Sequence, residues 1–144
     1  MRKIFYITLL LIATSLVASE VKWAKDYQTG MKQALKESKP VMFIISRDTC
    51  KYCVLLDDTT LKDTNVTSKL NSDFISIRSW TNEGDYIPRA IRQNTPGLPG
   101  IWFLYPDGTP MYRPLLGYVK SDKFYEALNV VSKSFKKNYK KGAK

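Results

Sequence analysis

Residues 41–56 read Val41-Met42-Phe43-Ile44-Ile45-Ser46-Arg47-Asp48-Thr49-Cys50-Lys51-Tyr52-Cys53-Val54-Leu55-Leu56. The run 41–45 is apolar throughout, which predicts a strand buried on both faces of a sheet. Arg47-Asp48-Thr49 is a brief polar loop. Cys50 and Cys53 follow where the pattern turns helical. A Cys-x-x-Cys at a strand-to-helix junction in an alternating α/β chain reads as a redox motif. The helix N-terminus presents free N–H groups and a favourable dipole, so a thiolate at Cys50 is favoured there. Lys51 adds positive charge beside it. Cys53, one turn on, is placed to attack a mixed disulfide and release a substrate. Two other readings of the pair remain open, a structural disulfide and a metal site. A loop this short gains little from closure.

Outward from this stretch, residues 21–38 place Trp23, Tyr27, Met31, Ala34 and Leu35 at helical spacing, interrupted by Gly30 and ended by Lys39-Pro40. Residues 64–71 predict another helical piece. Phe74-Ile75-Ser76-Ile77-Arg78-Ser79-Trp80 predicts a second strand. Pro88 opens a short helix to about Gln93. Turn formers fill 94–100, and Ile101-Trp102-Phe103-Leu104-Tyr105 predicts a third strand. Pro106-Asp107-Gly108-Thr109 is a turn, and Met111-Tyr112-Arg113, between two prolines, predicts a short edge strand. Ser121 is expected to cap a last helix with Phe124, Leu128, Val131 and Phe135 on one face. A helix between two strands implies parallel pairing, and the last tight turn implies antiparallel pairing. The expected fold is α/β, a mixed sheet of about four strands with helices on both faces. Trp23, Trp80 and Trp102 are expected in the core or sheet.

Composition narrows the chemistry. The chain has 144 residues, a length that suits one domain, and a formal charge of +10. With His at 0, mechanisms that need an imidazole base are excluded. With Cys at 2, no structural zinc or iron–sulfur site can be built from thiolates alone, so neither metal nor cofactor is expected. Residues 1–19 have the layout of a secretory signal peptide: Arg2 and Lys3, an apolar stretch from Ile4 to Val17, then Ala18 and Ser19. A cleaved signal is the expectation and an uncleaved anchor its rival. Export places the two thiols where disulfides persist. The domain is expected over 20–135, followed by a basic tail over 136–144. No basic-aromatic motif points to nucleic acid.

Cys50-Lys51-Tyr52-Cys53, Gly97-Leu98-Pro99-Gly100 before the third strand, Pro106-Asp107-Gly108, and Gly117-Tyr118 together resemble the thioredoxin-like superfamily over residues 21–135. The chain is most similar to its periplasmic branch, including the C-terminal domain of DsbD and SoxW-type thioredoxins. The resemblance implies that Pro99 is the cis-proline facing the cysteines, with Pro96 a second candidate, and that Leu98 offers its backbone to a peptide substrate. It implies that Lys51 and Tyr52 tune the pair. It also implies a monomeric periplasmic thiol–disulfide oxidoreductase, acting as a reductase of oxidised proteins and fed by a membrane electron donor of the DsbD/CcdA type. A thiol oxidant, and an adaptor with a passive disulfide, are the alternatives. The sequence departs from the family at Ile44, six residues before the first cysteine, where thioredoxin has a buried Asp. Asp48, Asp57 and Asp58 are the nearby acids, expected to face solvent.

Overall fold

The computed structural model describes residues 20–139. The expected signal segment 1–19 and residues 140–144 of the expected tail lie outside the described residues. The elements are α1 (Tyr27–Glu37), β1 (Val41–Ser46), α2 (Lys51–Asp58), a 3-10 turn (Thr60–Lys62), α3 (Thr64–Asp73), β2 (Ile75–Trp80), α4 (Arg89–Gln93), β3 (Gly100–Leu104), β4 (Leu115–Leu116) and α5 (Ser121–Asn138). The sheet order is β2-β1-β3-β4. β1 is fully buried along its length, as its apolar run requires.

Strand alternation splits the core into two layers. Met42 and Ile44 of β1 and Ile101 and Phe103 of β3 face α2, α3 and α5, where they meet Leu56, Leu70, Phe124 and Leu128. Val41, Phe43 and Ile45, with Trp102 and Leu104, face α1 and α4, where they meet Ala34, Ile87 and Ile91. The predicted face of α5 is buried at Phe124, Leu128, Val131 and Phe135.

Several local expectations are corrected. The helix expected over 21–38 starts at Tyr27, capped by the Asp26 carboxylate, which accepts from Thr29 N–H at 2.7 Å. The residues before it are extended: Trp23 bridges Ser76 in parallel, and Ala24 N–H donates to the Ser76 carbonyl at 2.8 Å. Pairing with an open sheet edge there outweighs the helical spacing. Gly30 is no weakness in α1. A Cβ at that position would lie 2.5 Å from the Ile77 side chain, so glycine lets the helix settle on the sheet.

The helix between β2 and β3 does not make them parallel neighbours, because β3 crosses over and pairs antiparallel with β1. The final edge strand lies at Leu115–Leu116 rather than Met111–Arg113. The turn closes as expected, with Tyr105 N–H donating to Thr109 O at 2.8 Å, and Met111 N–H still donates to Phe103 O, but the chain then leaves the ladder and rejoins it after Pro114. Ser121 is the first residue of α5 rather than its cap. Lys120 occupies the cap position with no side-chain bond. α5 runs to Asn138, so residues 136–138 of the expected tail are helical.

Candidate functional site

Cys50 is the N-cap of α2, and its sulfur accepts the Cys53 N–H at 3.3 Å. This satisfies one of the helix's free amides and points the Cys50 sulfur at the positive end of the dipole. Cys50 N–H in turn donates to Arg47 O at 3.3 Å, which closes the loop between β1 and α2. Both cysteines are free. Cys50 is half-buried, while Cys53 is 1% exposed. An incoming disulfide therefore reaches Cys50 first and Cys53 only through it.

Burial pushes the Cys53 thiol above its ordinary range, and its hydrogen bond to Cys50 adds to this. The Ser46 hydroxyl and the Arg47 backbone N–H pull the other way. Ser46 is itself 1% exposed. It ends β1 on the same side as Met42 and Ile44, the side that faces α2. Sequence reasoning did not single it out. The signal was present, because period-two alternation from Ile44 puts the next polar residue of that face at 46.

Ile44, the position six before Cys50, is fully buried among apolar side chains. Of the nearby acids, Asp58 is exposed and pairs with Lys62 at 3.3 Å, and Asp48 is exposed. Asp57 is a correction to the solvent-facing expectation. It forms a two-pronged ion pair with Arg78 of β2, one arm at 3.2 Å. The Arg78 guanidinium also lies 4.2 Å from the Trp23 ring and 5.0 Å from the Trp80 ring. Trp102 is buried as expected, whereas Trp23 is exposed and serves as one cover of this cation.

The remaining predicted residues surround the pair. Lys51 is exposed, and Tyr52 is 55% exposed beside the reactive turn. The Leu98–Pro99 peptide is cis, with Pro99 buried and Leu98 half-buried. Antiparallel pairing of Ile45 with Gly100 sets this turn next to the end of β1, where the cysteine loop begins. The Pro99 carbonyl accepts Gly117 N–H at 2.8 Å, and Gly117 takes the left-handed conformation, φ 78°, that this turn requires. Pro96 is exposed, on the outer part of the same loop. No cluster of three or more side chains able to hold a metal ion occurs among the described residues.

A family model described as a thioredoxin-like domain matches residues 27–132. The chain belongs to the thioredoxin-like family. Among solved structures, this thioredoxin-like domain is similar to the Neisseria meningitidis DsbD C-terminal domain in the oxidised form. That match has 31% identity and a TM-score of 0.55, and covers 72% of this chain and 90% of that one. A thioredoxin from Thermus thermophilus superimposes with a TM-score of 0.64 at 23% identity, over 78% of this chain and 87% of that one, which speaks to the fold alone. Anterior gradient protein 3 of Mus musculus is 27% identical over 80 residues, 50% of this chain and 48% of that protein. The chain thus spans about half the length of the curated relatives it matches.

Proposed function

We propose that this thioredoxin-like domain is a thiol–disulfide oxidoreductase acting outside the cytoplasm, and that it reduces disulfides of client proteins. The observation that carries the reading is the asymmetry of the pair. Cys50 is accessible and caps a helix N-terminus, while Cys53 is buried one turn behind it. In the first step the Cys50 thiolate attacks a client disulfide. A mixed disulfide forms, and one client sulfur leaves as a thiolate that takes up a proton. In the second step Cys53 gives up its proton and attacks the Cys50 sulfur. The Cys50–Cys53 disulfide forms, and the second client thiolate leaves. Two electrons pass to the client. A membrane electron donor of the DsbD/CcdA type restores the dithiol. Leu98 and Pro99 present backbone to the client, and Lys51 and Tyr52 border its path.

The test is the reduction potential of the pair against glutathione, together with trapping by Cys53→Ser. A potential near about −270 mV with client mixed disulfides on Cys50 supports the reductase. A potential near about −120 mV reverses the direction and makes the domain an oxidant. A pair that neither exchanges nor traps leaves an adaptor on a thioredoxin scaffold.

A further inference from the structure

Beside the Leu98–Pro99 turn a cavity of about 240 Å³ opens, lined by Ile45, Arg47, Thr81, Ile87, Arg92 and Leu98 among others. Its floor is apolar, since Ile45 and Ile87 are buried side chains of the α1/α4 core layer. Its polar wall is cationic. Arg47 belongs to the cysteine loop itself, its carbonyl accepting the Cys50 N–H, and its Nε donates to the Thr81 hydroxyl at 3.2 Å. Arg92 comes from α4 on the far side of the cavity. No carboxylate lines the cavity, and among the described residues neither guanidinium enters an ion pair.

Two exposed arginines from separate elements border one hollow, and one of them is oriented by a hydrogen bond to Thr81. Arg78, by contrast, has its charge met by Asp57 within the fold. An apolar floor accepts methylene groups, and the guanidinium forks match a carboxylate. We infer that this cavity is a subsite for an acidic side chain, an Asp or Glu flanking the reacting cysteine of a client peptide. The inference names the substrate class of the proposed exchange site and rests on that reading for its role in exchange. Arg47, whose carbonyl accepts the Cys50 N–H, also lines the cavity, and the pairing of Ile45 with Gly100 keeps the Leu98–Pro99 turn by the end of β1, so a residue flanking a client cysteine at Cys50 is expected at the cavity mouth.

The test uses two synthetic peptides, identical except that one carries Asp and the other Asn on both sides of a single cysteine. In the first arm the cysteines are S-methylated, and binding to the Cys50→Ser/Cys53→Ser chain is followed by NMR titration, which needs no redox chemistry. In the second arm the same peptides, as mixed disulfides with 2-thiopyridine, react with the native chain. The Asp peptide is expected to bind and react about fivefold better than the Asn peptide at low salt. The preference is expected to shrink as salt is raised to about 0.5 M, and to fall to about one in Arg47→Gln/Arg92→Gln or in the milder Arg92→Gln.

Equal binding of the two peptides overturns the inference even where exchange proceeds. A preference that survives both arginine variants overturns it as well. Preferential binding with no exchange by the native chain sinks the oxidoreductase reading and leaves the subsite standing.

Discussion

Cys53 and Asp57 lie one helical turn apart on α2, and their surroundings are opposites. The Asp57 carboxylate meets a full countercharge, the Arg78 guanidinium, which two tryptophan rings shield in turn. The Cys53 thiol instead meets the Ser46 hydroxyl, the Arg47 N–H and the Cys50 sulfur, none of which is a cation. An acid near a reactive turn is therefore not the same as an acid available to it. Asp57 is held by a strand that also anchors the residues before α1, so its role is in the architecture. Cys53 must lose its proton with hydrogen-bond donors to steady the thiolate, and among the described residues no carboxylate acts on it.

The largest effect that separates the two regions is on turnover. Cys53→Ser is expected to cut catalytic disulfide reduction by at least about a thousandfold, with mixed disulfides accumulating on Cys50. Asp57→Asn is expected to change that rate by less than about twofold. An insulin-reduction assay of both variants checks the contrast, and a large loss in Asp57→Asn would break it.

Stability is expected to reverse the order. Arg78→Met leaves Asp57 partly buried without its cation and should cost about 2–3 kcal/mol in urea unfolding. The double variant Asp57→Asn/Arg78→Met should cost less than the two singles summed. Strict additivity would show that the pair is not coupled.

Ser46→Ala removes a donor from the buried thiolate. Release of the mixed disulfide should slow by about fivefold near neutral pH, the equivalent of about 1 kcal/mol. The sign follows from the raised position of the Cys53 thiol. The resolving step speeds up as pH rises toward that range, and Ser46→Ala should displace the profile further to alkaline pH. Ser46→Thr should restore it. A uniform loss with an unshifted profile would mean that Ser46 only packs.

The smallest effect is expected at a second compensated carboxylate, Asp73. Burial pushes this group up, but the Lys69 ammonium at 2.8 Å and the Ser132 and Ser72 hydroxyls outweigh it and carry it from an ordinary 3.8 to about 2. A depressed carboxyl stabilises the fold fully above its unfolded value, and the contribution fades as pH falls through the folded one. Asp73→Asn should therefore cost about 1 kcal/mol at neutral pH, after allowance for solvent screening, and only a small part of that near pH 2. Unfolding curves at the two pH values check this.

The parts that were legible in the sequence share a cause. The run 41–45, the cysteine spacing and the α5 face are local patterns, and burial along β1 and α5 follows them residue for residue. The misplaced elements were decided by distant partners. Trp23 lies on the helical spacing, yet Trp23 and Ala24 pair with Ser76. Met111–Arg113 looks like a strand, yet only Met111 still bonds to β3 there, and the ladder resumes at Leu115. Ser46 carries no acid and so does not stand out in the sequence beside Ile44, Asp48, Asp57 and Asp58. The side chain that touches Cys53 lies two residues beyond Ile44 along the same strand face.

By itself, the sequence determined the chemistry: two thiols three residues apart, no imidazole, and a buried strand leading into a helix that begins at the first thiol. These depend on residue type and short-range spacing, which a chain carries whatever its fold. Only the tertiary structure decided which charges are closed off and which stay open. Arg78, Arg47 and Arg92 are alike in sequence, but the packing of α2 on β2 brings Asp57 to the first, while the cysteine loop and α4 bring the other two to the rim of one cavity beside the Leu98–Pro99 turn.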